Sequence, residues 1–226
     1  MIPIRDEIPT RETPVVNYLL ITANVLVFLW MLFMPESALE TMENKFAMVP
    51  AHFADGVTLE DIMTIFTSMF MHTGWAHIGG NMLYLWIFGD NVEDRLGHFR
   101  YLMFYLVGGV AASLTHLATN WGSELPVVGA SGAIAAVLGA YLVFYPGSRI
   151  ETFVPLGYFY RLTLIPAAVV LGFWFVLQLF DGVAALGGAD VGGVAVWAHI
   201  GGFVAGMVMV GLVAPADRSQ RAATNW

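Results

Sequence analysis

Two stretches of this chain put a nucleophile and a base in apolar surroundings, where neither is ordinarily found. Ser131 stands in Gly129-Ala130-Ser131-Gly132, and His199 in Ala198-His199-Ile200-Gly201-Gly202. A serine hydroxyl attacks poorly until an imidazole takes its proton, and the same imidazole can return that proton to a departing amine. A third stretch, His77-Ile78-Gly79-Gly80-Asn81, sets an imidazole and an amide on one helical face at i, i+4. Aimed at a common cavity, these two donors suit the oxyanion of a tetrahedral intermediate. Each stretch has a plainer reading too. Ser131 could be the N-cap of a packing helix, His199 an interhelical hydrogen-bonding residue, and His77/Asn81 a contact worth about a kcal/mol. The depth at which they lie has to decide.

That depth follows from the composition. The 226 residues are 58% hydrophobic and 12% charged, more apolar than a soluble core of this size could hide. Several apolar runs reach the roughly 20 residues needed to cross a bilayer core of about 30 Å. Six spans fit, over 15–34, 66–89, 101–119, 130–145, 163–180 and 194–213, so the chain reads as an integral, all-α membrane protein. Residues 1–14 form a polar N-terminal segment, 15–213 the six-helix domain, and 214–226 a C-terminal tail. The run from Val15 is too long for a signal-peptide core and reads as a retained first span. The net charge of −8 comes from acids in the segments between apolar runs and points to no partner, and without cysteine there are no disulfides or thiolate metal sites.

Basic residues orient the bundle. Arg5, Arg11, Arg95, Arg100, Arg149, Arg161, Arg218 and Arg221 all fall on one side of the six spans, with Lys45 alone opposite. The positive-inside rule then puts both termini in the cytoplasm, in the plasma or inner cell membrane. On the outer side, 35–65 is expected to fold onto the membrane surface, and the glycine- and alanine-rich 181–193 has the composition of a movable lid.

The fourth span is short. Pro146 follows Ser131 by 15 positions, about 22 Å of helix, which puts Ser131 roughly 8 Å below the outer edge of the core. Ala214 follows His199 by the same 15 positions, so the two side chains are expected at one depth. Counting back from Glu93, Asn81 and His77 lie roughly 18 and 24 Å from the inner end, in the same outer half. Ser131, Ala135 and Gly139 on one helix and His199, Gly202 and Gly206 on the other form small-residue faces for close packing. Irregular backbone at that depth needs water or protein around it, and a serine at a helix start has orphan N–H groups beside its hydroxyl. The remaining histidines and the scattered carboxylates have no metal-ligand spacing, so neither metal nor cofactor is expected. Asp181 and Asp190 are the acids that could approach His199, yet nothing in the sequence requires an acid there. The residues support a dyad without a committed third member.

Taken together, His77-x-x-x-Asn81, Gly129-Ala130-Ser131-Gly132, Ala198-His199-Ile200-Gly201-Gly202-x-x-x-Gly206 and the Glu93-Asp94-Arg95-Leu96-Gly97 exit from span two resemble the rhomboid family of intramembrane serine proteases. The resemblance implies a six-helix bundle with an outward-open aqueous cavity. It makes Ser131 the nucleophile and His199 the general base of an endopeptidase. Asn81, His77 and the Ser131 backbone N–H would form the oxyanion hole, Gly129, Gly132, Gly202 and Gly206 would be structural, and 181–193 would cap the cavity. The implied partners are transmembrane protein substrates within the lipid bilayer, with no nucleic acid. One position departs: four residues after the nucleophile the family often carries an aromatic that stacks on the base, and here it is Ala135, so another residue must orient His199. A transporter would spread polar groups across the midplane, whereas here they cluster in one half. An inactive relative that binds membrane clients would be expected to have lost the nucleophile or the base, and both remain.

Overall fold

A computed structural model describes residues 1–54, 56–156, 159–186 and 195–213. Its long elements are helices: α1 (Val15–Leu32), α2 (Glu36–Phe46), α3 (Leu59–Thr67), α4 (Trp75–Leu96), α5 (His98–Thr119), α6 (Ser131–Phe144), α7 (Ala167–Leu186) and α8 (Val196–Val213). By length and composition Val15–Leu32, His98–Thr119 and Ala167–Ala185 can cross a membrane, and Ser131–Phe144 and Val196–Leu212 are shorter apolar helices. Large apolar side chains lie exposed along α1 (Leu19, Leu26, Trp30) and α7 (Val169, Phe173, Phe180), the pattern of a bundle whose solvent is lipid.

The expectation of an all-α chain is corrected by a three-stranded antiparallel sheet. It orders β1 (Ile2–Asp6), β2 (Arg149–Leu156) and β3 (Phe159–Pro166) side by side. β2 pairs with β3 from Arg149↔Pro166 to Leu156↔Phe159, and β1 pairs with β2 from Ile2↔Phe153 to Asp6↔Ile150. Alternation is the physical reason: Ile150 and Thr152 are fully buried while Arg149 is exposed and Glu151 and Phe153 are part-exposed, a period of two that no helix shares. The fifth expected span therefore loses 163–166 to β3. Span two likewise does not begin at 66. Residues 68–70 form a 3₁₀ turn, Gly74 is extended, and the helix runs from Trp75 to Leu96.

At the middle of the bundle stands α6, buried from Gly132 to Tyr141 and packed against α4, α5 and α8. Its seam with α8 is made backbone to backbone. A Cβ on Gly206 would run into the Ala136 carbonyl, one on Gly139 into the Phe203 carbonyl, and one on Gly202 into the Gly132 carbonyl. With lipid as apolar as leucine, such close van der Waals contact is what holds two helices together. The small-residue faces expected from sequence are thus in contact.

The arginine-rich end is tied by polar groups. Glu93, buried on α4, accepts from the first free amides of α1, Val16 at 2.9 Å and Asn17 at 2.7 Å, and pairs with His98. Asn17 donates to the Leu85 carbonyl and accepts from the Tyr101 hydroxyl at 2.8 Å. Orphan N–H groups at a buried helix start must find such acceptors. Asp6 of β1 reaches the same end and accepts from Tyr141 at 2.6 Å and Asn91 at 2.9 Å.

Candidate active site

Gly129 turns the chain into α6. It adopts φ +126°, a left-handed conformation that a side chain would strain, and its amide donates to the Ser68 carbonyl at 2.9 Å. A bridge between Met48 and Val127 holds the incoming strand of chain. Ser131 then becomes the first residue of α6, with Ala130 at the N-cap and no side-chain cap bond. The hydroxyl is therefore not consumed in capping, which removes the plainer reading of Ser131.

That hydroxyl faces α8. Ser131 Oγ lies 2.7 Å from His199 Nε2. The two helices meet through Gly132 and Gly202, one and three residues beyond these side chains, and this close approach lets a short serine reach the ring. The structure thus unites the pair that the depth arithmetic put at one level. A small cavity beside Ser131 is lined by Ser68, Ser113, Val128, Gly129 and Ala198 among others.

His77 approaches from α4. A Cβ built on Gly129 would come 2.7 Å from His77 Nε2 and 3.7 Å from Ser131 Oγ, so both side chains flank the Gly129 turn and only glycine leaves the imidazole room. Its other nitrogen, Nδ1, accepts from the Thr73 amide at 3.5 Å and lies 3.2 Å from the Thr73 hydroxyl. With Nδ1 accepting, the ring proton belongs on Nε2, which makes that edge a donor beside the Gly129 turn. Asn81 sits one helical turn further along α4, buried, and its Nδ2 has no hydrogen-bond partner among the described residues. A buried unpaired donor costs stability, on the order of 1–3 kcal/mol.

Two side chains of α7 were not foreseen. Gln178 Oε1 lies 2.7 Å from His199 Nδ1, and Trp174, one turn earlier, leans on the imidazole with ring centroids 5.9 Å apart. Both reach His199 from α7, whereas Ala135 of α6 offers it no aromatic face. Asp181 is exposed, and Asp190 lies outside the described residues. The expected 181–193 lid is corrected in part: 181–186 forms the last turns of α7, and 187–193 lies outside the described residues.

A sequence model of the Rhomboid domain family matches residues 59–216. The chain belongs to the rhomboid family. Rhomboid protein 1, mitochondrial, of Saccharomyces cerevisiae is 35% identical over 99 residues, 41% of this chain and 28% of that protein. The rhomboid protease GluP of Bacillus subtilis is 32% identical over 124 residues, 55% of this chain and 23% of that one. The human presenilin-associated rhomboid-like protein, mitochondrial, is 33% identical over 184 residues, 76% of this chain and 45% of its relative. The matches span less than half the length of each of these relatives. They also correct one expectation. The plasma or inner cell membrane assigned from arginine positions does not stand, because the yeast and human rhomboids are both named as mitochondrial. Arginine distribution reports which ends of the helices share a side, and carries no information about which membrane they cross.

Proposed function

We propose that this rhomboid is an intramembrane serine endopeptidase that hydrolyses peptide bonds in or near transmembrane segments of membrane proteins. The observation that carries the reading is the 2.7 Å contact between Ser131 Oγ and His199 Nε2 at the part-buried start of a short helix. In this reading α1, α4, α5, α6, α7 and α8 are six spans, and the site opens on the side opposite the arginines. Ser131 Oγ attacks the scissile carbonyl while its proton passes to His199 Nε2. The oxyanion takes hydrogen bonds from the Ser131 amide, the His77 Nε2–H and the Asn81 amide group. When the C–N bond breaks, His199 returns the proton to the amine and the acyl group stays on Ser131. A water then gives a proton to His199 and its oxygen to the acyl carbon; as the bond to Ser131 Oγ breaks, His199 passes that proton to Oγ, which releases the acid and restores the serine. A helical peptide bond is shielded by its neighbours, so the substrate must unwind at the site end, and helix-breaking or small residues near the cut should favour cleavage.

A fluorophosphonate probe tests the nucleophile without a substrate. Labelling of the purified chain should be confined to Ser131, absent in Ser131→Ala, and slower by about 10²-fold or more in His199→Ala. A folded wild type that takes no label would favour a relative that binds membrane clients without cutting them.

A further inference from the structure

His199 can serve as a base toward Ser131 only in one of its two neutral forms. Nε2 must be free to accept, so the ring proton must sit on Nδ1. Left alone, an imidazole samples both forms and rotates about its side-chain bonds, and Ala135 offers no aromatic face from α6. On α7, Gln178 Oε1 stands 2.7 Å from Nδ1. Trp174, four residues earlier on the same helix, tilts at 38° to the imidazole and also meets Phe203, which follows His199 by one turn of α8. The ring is therefore held at its far edge by an amide and along one side by an indole, both from α7.

We infer that Gln178 is the positioning residue of this site: its amide oxygen accepts the His199 Nδ1 proton, selects the form in which Nε2 can take the Ser131 proton, and anchors the ring at that angle. The inference rests on the proposed protease reading and supplies the third member that reading lacks. When Nε2 gains the serine proton, the Nδ1–H stays on the Gln178 oxygen, whose dipole faces the new positive charge. A neutral amide does this inside an apolar helix without the cost of placing a carboxylate there. The amide has two ends. Only its oxygen matches a basic Nε2, since the NH₂ end would donate to Nδ1 and put the ring proton on the serine side.

Two substitutions in the purified full chain, assayed in liposomes with a fluorogenic transmembrane peptide, separate this role from packing. Gln178→Leu keeps the volume and removes the acceptor; kcat should fall by about 10²-fold with KM little changed. Gln178→Glu restores an acceptor and should recover kcat to within about tenfold of wild type. Histidine-labelled ¹⁵N spectra should show the Nδ1-protonated form in wild type and Gln178→Glu, and a mixture in Gln178→Leu. The inference is overturned if Gln178→Leu keeps wild-type kcat and the Nδ1-protonated form. It is equally overturned if the Leu and Glu variants lose activity together with thermal stability while the ring proton does not move. Should Ser131→Ala cleave as fast as wild type, the protease reading falls, and the spectra still report whether Gln178 holds the ring.

Discussion

At the scale of single residues, Gly129 joins conformation to chemistry. Its φ of +126° turns the chain so that the Ser131 amide heads α6, and its missing side chain is the space in which His77 Nε2 lies. Gly129→Ala should strain the turn and push the imidazole away. The expected result is a fall in kcat of about 10²-fold, the size of losing one oxyanion donor, with Ser131 and His199 still in place. Asn81→Ala should cost a similar factor in kcat and, because its Nδ2 has no hydrogen-bond partner among the described residues, little thermal stability. Comparing kcat with the melting temperature of each variant checks both. Most of this site was legible in the sequence. Helical rise alone brought Ser131 and His199 to one depth, and i, i+4 spacing brought His77 and Asn81 to one face. Gln178 was not legible, because its partner depends on how α7 rotates against α8. The available signal was an amide four residues after Trp174 in an otherwise apolar run.

Elements hold that geometry, and the seam between α6 and α8 is the most exposed to single changes. Because a Cβ on Gly206 meets the Ala136 carbonyl, Gly206→Val must push the helices apart. Overpacking of this kind costs about 1–3 kcal/mol, and the same displacement should stretch the Ser131–His199 contact, so both melting temperature and fluorophosphonate labelling should drop. At the other end of α6, burial pushes the Asp6 carboxyl up to about 6, against the hydrogen bond from Tyr141 and with the Asp90 carboxylate adding to the rise. Between its ordinary value near 3.8 and about 6, the folded chain keeps a proton that the unfolded chain has released. Stability therefore falls as pH rises through that window. Once solvent screening of a partly exposed group is allowed for, the effect is about 1 kcal/mol. Wild type should melt higher at pH 5 than at pH 7 by more than Asp6→Asn does, and equal pH dependence in the two would remove this role from Asp6. The sheet to which Asp6 belongs escaped the sequence reading. The stretch Thr163–Pro166 after Arg161 leads straight into α7, so hydropathy fused the end of β3 and the helix into one span, while β1 lies far from its partner in the chain and leaves no local trace.

Across the whole molecule, the apolar exteriors of α1 and α7, the polar ties at the arginine-rich end and the buried site at the opposite end describe a bundle with two unlike faces. The absence of cysteine makes that arrangement measurable. In uniformly oriented proteoliposomes, cysteines introduced at Arg100 and Ser148 should react with an impermeant maleimide from one side, and one at Ser123 from the other. Hydropathy was enough to read a mostly helical membrane chain: three helices are long and apolar enough to cross a membrane, and Ser131–Phe144 and Val196–Leu212 are shorter apolar helices. It could not name the membrane, which depends on signals outside the bundle's physics.

The central claim is that Ser131 and His199 cut peptide bonds within a membrane, and the most direct measurement is cleavage of a fluorogenic transmembrane substrate by the purified chain in liposomes, alongside Ser131→Ala and His199→Ala of confirmed fold. Cleavage by wild type and its loss, by a factor of at least about 10³, in both variants is the predicted result. Variants that cleave as well as wild type, or a folded wild type that leaves a broad panel of transmembrane substrates intact, would contradict it.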